Sequence, residues 1–207
     1  MRAHSKRGVA LDQVTFLRRL LAISEAGLAY AQDRFDQERY QDLRRLAQQQ
    51  LATLGDWPVG EVADLFAQET GYPTPKVDVR AFITRRQQVL LVADATGHWA
   101  LPGGFAEVGW SLKANVVKEV REETGLAMTV GELRAIYDTA QRPDIPQAFQ
   151  YYKMIFAGTI GEGEFAANSE TVATGWFSEA ALPPLSLKRT TPEQLHRLFA
   201  GGELYIQ

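Results

Sequence analysis

Leu101-Pro102-Gly103-Gly104-Phe105-Ala106-Glu107-Val108-Gly109-Trp110-Ser111, running on through Leu112 to Leu126, is the stretch that decides how this chain is read. It spells a loop, a helix and the helix's two caps. Gly103 and Gly104 permit backbone conformations closed to other residues and let a ligand or metal come close to the chain. Ser111 is a good N-cap, and Gly125 suits the left-handed position that ends a helix. At about 100° per residue, Glu122 and Glu123 fall on either side of Glu119, so the three share one edge, while Val116, Val117 and Val120 form the adjoining face that anchors the helix. Two readings of the three carboxylates are open. They are either a solvated acidic face or a site for a hard divalent cation, which favours oxygen ligands. The second is supported by the glycine pair at loop distance and by the lack of basic partners expected on that edge.

On either side of this stretch the chain changes grammar. Residues 11–52 hold no proline and one glycine, Gly27, and are rich in helix formers. Leu17, Leu20, Leu21, Leu28 and Ala29 recur as one buried helical face, a break is expected at 33–36 with Asp36 as N-cap, and Tyr40, Leu43, Leu46, Ala47 and Leu51 line a second helix. A short third helix is expected over 61–70. Gly71-Tyr72-Pro73-Thr74-Pro75 then forms a joint. Beyond it, 77–83 alternates apolar and polar, 89–93 is a short apolar run, and 85–88 is read as the hairpin turn between them. Further strands are expected over 133–139, 149–159 and 174–177, with helices over 111–124 and 192–199. The expected fold is α+β, with an all-helical N-terminal domain over 1–71 and a second domain over 72–207.

The composition of the 207 residues excludes several classes. The chain is 45% hydrophobic and 23% charged, which argues against wholesale disorder, and 22 basic against 25 acidic residues offer no basic excess for coating nucleic acid. With no cysteine, thiolate chemistry is excluded. No apolar run approaches the roughly 20 residues of a membrane span, and the basic start has no apolar stretch behind it, so a cytoplasmic protein is expected. His4, His98 and His196 are read as structural or solvated. Two cations stand in apolar strands, Arg80 and Lys153. Such a placement is costly unless the side chain reaches solvent or an anion, so both are candidates to bind a phosphate-bearing ligand, against the plainer reading that both point outward.

The stretch from Gly104 to Leu126 resembles the signature of the Nudix hydrolases: Gly, five residues, Glu, seven residues, Arg-Glu-apolar-x-Glu-Glu-x-Gly-apolar. Here it reads Gly104, five residues, Trp110, seven residues, Lys118-Glu119-Val120-Arg121-Glu122-Glu123-Thr124-Gly125-Leu126. Trp110 and Lys118 depart from it, at two positions that form a bracing ion pair in the family, and Glu107 is a candidate substitute brace. The resemblance implies an α/β/α sandwich with a mixed sheet. It also implies that Glu119, Glu122 and Glu123, with the Gly103 carbonyl, hold Mg²⁺ or Mn²⁺. Gly104 is expected at the substrate. A further acid completes such sites from a loop before a late strand, and Glu170 is the candidate, against a plain surface carboxylate. Glu170 or Glu119 would serve as general base.

The helical leader, including Gly27-Leu28-Ala29-Tyr30 and residues 35–40, looks like that of bacterial CDP-choline pyrophosphatases, and so do 74–80, 115–120, Tyr152-Lys153 and 182–186. This resemblance implies hydrolysis of CDP-choline to CMP and phosphocholine. The alternatives are ADP-ribose, another dinucleotide or RNA ends, or a non-catalytic nucleotide sensor. Three short helices bury little core alone, so a homodimer is expected.

Overall fold

The computed structural model describes residues 12–67 and 71–207. The expectations for the tail, His4 and residues 68–70 lie outside these. The chain divides into two compact units. One runs to Thr74 and takes in Arg142–Phe149, and the other is Pro75–Gln141 with Gln150–Gln207.

The first unit carries α1 (Gln13–Tyr30), α2 (Arg34–Gly55) and α3 (Val59–Ala67). The break between α1 and α2 falls where expected, but Asp33 rather than Asp36 is the cap. Asp33 has the extended backbone a cap needs and accepts from the Phe35 and Asp36 N–H groups, whereas Asp36 already lies in the first turn. Leu17, Leu21, Ala47, Leu51, Ala52, Val62 and Phe66 form one core, and the Phe149 ring joins it 4.7 Å from Phe66. Ala29, expected on the buried face, is exposed. A Cβ on Gly27 would stand 2.4 Å from the Tyr40 ring, so this glycine, alone within residues 11–52, is what lets α1 and α2 close, with Tyr40 packed between them. Arg39 turns outward to Asp36 at 2.6 Å.

The second unit is the expected mixed α+β arrangement. Its strands are β1 (Lys76–Arg85), β2 (Gln88–Ala93), β3 (Trp99–Ala100), β4 (Gly103–Phe105), β5 (Leu126–Asp138), β6 (Tyr151–Gly163), β7 (Ala173–Ser178) and β8 (Tyr205–Ile206). They order as β3-β2-β1-β6-β5-β8, with β4 on β1 and β7 on β2. The β1–β6 and β5–β8 pairs are parallel. Arg86 and Gln87 take the left-handed conformations that a tight two-residue hairpin turn requires.

Helix α4 (Leu112–Thr124) covers one face of the sheet and α5 (Pro192–Ala200) the other. Val79, Ala81, Ile83, Leu90, Met128 and Phe156 pack on Val116 and Val120 of α4, while Phe82, Val89, Leu91, Leu101, Ala135, Tyr137 and Ile155 pack on Leu195 and Leu198 of α5. Strand β1 is therefore buried on both faces, its odd positions toward α4 and its even positions toward α5. Asp78 and Arg80 occupy even positions beyond Phe82, which brings two charges into the interior.

Candidate active site

The rotation of α4 decides where its carboxylates lie. Ser111 caps the helix by accepting from the Ala114 N–H at 3.1 Å, and Gly125 ends it at φ 70°. Val116 and Val120 are fully buried and hold the helix on the sheet. That leaves Glu123 buried, Glu119 half-buried and Glu122 exposed along one edge. The Gly103 N–H donates to Glu123 Oε2 at 2.7 Å. Gly103 and Gly104, read as loop, form part of β4 instead. Gly103 has φ +141°, and a Cβ there would lie 2.0 Å from the Val79 carbonyl oxygen, so only glycine lets β4 pair with β1 at this point.

A Cβ on Gly104 would meet Glu119 Oε2 at 2.5 Å. Because that atom ends a flexible side chain, Gly104→Ala is expected to keep the fold and displace the carboxylate. The melting temperature should change little, while kcat/KM falls about tenfold or more. An unchanged rate would show that Glu119 need not sit over Gly104.

Burial pushes the Glu123 carboxyl up to about 7, against the attraction of Arg80 and the Gly103 hydrogen bond. Burial also raises Glu119. These are carboxylates short of positive charge, a donor set that fits a hard divalent cation. Glu122, expected from the sequence to lack a basic partner, has one: Lys118, one turn back on the same edge, donates from Nζ to its Oε2 at 2.7 Å. Among the described residues no three His, Asp or Glu side chains are already gathered as a ligand cluster.

Lys118 Nζ also donates to Glu107 Oε1 at 3.1 Å, so the brace between loop and helix is present with Glu107 as its acid. Its hydrogen bonds to Glu122 and Glu107 raise the ammonium's pKa. A second brace went unread in the sequence. The side chain of Asn115, fully buried, accepts from the Glu107 N–H at 3.0 Å. Trp110 stays half exposed.

Arg80 and Lys153 both point inward, and the anion they reach is Asp78, a residue the sequence reading passed over. Arg80 grips it with two nitrogens at 2.7 and 2.9 Å, and Lys153 Nζ reaches it at 3.4 Å. All three are at most 5% exposed. Burial works to raise the Asp78 carboxyl, but Arg80 and Lys153 overcome it and hold it below its ordinary value. Burial brings Lys153 down to about 8. Opposite charges two apart in an apolar strand were the available signal, since period two puts them on one face.

Glu170 is exposed, on a loop tied to α4. The Asn168 side chain donates to the Glu122 carbonyl at 2.9 Å and accepts from the Glu170 and Thr171 N–H groups. Asn168, another residue without a local signal, thereby brings the loop of Glu170 to the end of the helix that carries Glu122 and Glu123.

Residues 74–199 match the family model of the NUDIX domain, and residues 12–66 match that of a UDP-X-like, N-terminal oligomerisation domain. The Bacillus subtilis protein named "Putative ADP-ribose pyrophosphatase YjhB" is 42% identical over 183 residues, 88% of each chain. The crystal structure of a UDP-X diphosphatase superposes with a TM-score of 0.62 at 38% identity, covering 95% of this chain and 98% of that one. That of an ADP-ribose pyrophosphatase from Streptococcus suis gives 0.59 at 40% identity, covering 65% of this chain and all of the other.

Proposed function

This chain belongs to the NUDIX family, and from that premise we propose that it hydrolyses the diphosphate bridge of a nucleoside diphosphate joined to a second group, with CDP-choline as the first candidate. The observation that carries the reading is the edge of α4. There Glu123 is buried against the Gly103 N–H with its pKa driven up, and Glu119 lies half-buried beside it. Glu119, Glu122 and Glu123, with the Gly103 carbonyl, would hold Mg²⁺ or Mn²⁺. A divalent cation held there neutralises charge on the bridging phosphates and acidifies water.

The chain's own residues supply the rest. Glu170, or Glu119, takes the proton from the water that attacks one phosphorus, as the bond from that phosphorus to the bridging oxygen breaks. With CDP-choline the products are CMP and phosphocholine. Gly104 carries no side chain to obstruct the phosphates. Arg80 and Lys153 share one carboxylate, so the cluster keeps a net positive charge that draws the diphosphate.

The test is phosphatase-coupled phosphate release from CDP-choline, ADP-ribose, a UDP-linked sugar and a nucleotide panel, each with Mg²⁺, Mn²⁺ or EDTA. EDTA-sensitive cleavage with CDP-choline ahead is expected. Preference for ADP-ribose or a UDP compound, which the names of the similar proteins favour, keeps the reaction and replaces the substrate. Bound metal without turnover of any compound would overturn hydrolysis in favour of nucleotide sensing.

The homodimer belongs to the same proposal. On α1, Phe16, Ile23 and Tyr30 recur every seven residues and are each at least half exposed, an apolar stripe suited to a second copy. Light scattering at micromolar concentration should give twice the chain mass, and a monomer would count against it.

A further inference from the structure

Strand β4 is three residues long and, among the described residues, pairs only with β1. Gly103 and Gly104 bring it against the carboxylates of α4. The next residue, Phe105, pairs with Asp78 and therefore points to the opposite face, the face of Asp78, Lys153 and Tyr151. There its ring lies on that of Tyr151, centroids 5.4 Å apart and 7° from parallel. Despite this stack Phe105 is 56% exposed, which leaves ring surface for a second planar group. Beneath it lies the Asp78–Arg80–Lys153 cluster, where two buried cations share one carboxylate and Lys153 has no other hydrogen bond or ion pair among the described residues. An aromatic platform beside net positive charge, one residue from the glycine that faces Glu119, has the chemistry of a nucleotide: a flat base joined to an anion.

We propose that Phe105, backed by Tyr151, is the platform on which the substrate's nucleobase stacks, with the diphosphate passing the free edge of β4 toward Glu119 and Glu123. The proposal rests on the hydrolytic reading above for the path of the diphosphate, while the base subsite itself can be tested without turnover. Stacking holds base equally in the ground and transition states, so its loss appears in KM and leaves kcat alone. It requires a π face, which Trp or Tyr restores and Leu does not.

Two measurements test it. By titration calorimetry, the wild-type protein is expected to bind at least one of CMP, UMP, AMP and GMP about tenfold more tightly than ribose 5-phosphate, which has the phosphate and no base. Phe105→Leu should abolish that advantage and Phe105→Trp retain it. In turnover of the best substrate, Phe105→Leu should raise KM about tenfold with kcat within twofold. The inference is overturned if no nucleotide binds more tightly than ribose 5-phosphate, or if Phe105→Leu keeps the advantage. A wild-type protein that cleaves no diphosphate yet shows the base advantage would refute the hydrolytic reading and leave the subsite standing.

Discussion

Glu123→Gln is expected to lower kcat/KM at least about a hundredfold while making the metal-free protein more stable at pH 8. Both effects follow from one fact. The carboxylate is buried, and Arg80 and the Gly103 N–H offset only part of the cost of its charge. Glutamine keeps the shape and can still accept the Gly103 hydrogen bond, so the fold survives. It cannot supply the anionic oxygen that the proposed metal site requires. The stability effect has a defined sign. Burial raises the folded pKa from 4.5 to about 7, so between those values the folded state holds more protons than the unfolded one. Stability from this group is greatest below 4.5 and falls as pH rises through about 7, by on the order of 3 kcal/mol in all. In EDTA, wild-type melting should therefore fall between pH 5 and pH 8 more steeply than that of Glu123→Gln. Parallel curves, or a variant as fast as the parent, would remove Glu123 from the metal edge.

Asp78→Ala should cost more stability than any surface change. It leaves Arg80 and Lys153 buried with no carboxylate between them, and breaking a buried ion pair from one side costs about 3–5 kcal/mol. Against a typical total of about 5–15 kcal/mol, that lowers the melting temperature by roughly 10 °C or prevents folding. Because an unfolded variant would be uninformative, the pair Asp78→Ala with Lys153→Met is the control. Removing one of the stranded charges should recover part of the loss in urea unfolding. No recovery would show that Lys153 does not depend on Asp78 for its place in the interior.

The similar proteins place the family firmly and leave the substrate to experiment. Relatives named for ADP-ribose and for UDP-X share this chain's architecture over most of its length. What differs between substrates is the group at the far end of the diphosphate and the base at the near end, and Phe105 belongs to the second.

The local order of the site was legible before the structure. Spacing alone put Glu119, Glu122 and Glu123 on one edge and the valines beside them, because a helix advances by a fixed angle whatever surrounds it. Ser111 and Gly125 marked its ends for the same reason, and alternation marked β1 and β2. Strands β3, β4 and β8, at two or three residues, are too short to show a period. The partners of the site were not legible either. Glu107 reaches Lys118 across eleven residues, Gly103 reaches Glu123 across twenty, Asn168 reaches Glu122 across forty-six and Lys153 reaches Asp78 across seventy-five. The chain by itself determined which residues each helix and strand would present on a face, since backbone geometry sets that within the element. Which of those faces met was decided by tertiary structure alone, since it depends on strand register and helix docking, and a pairing between distant segments leaves no period in either one.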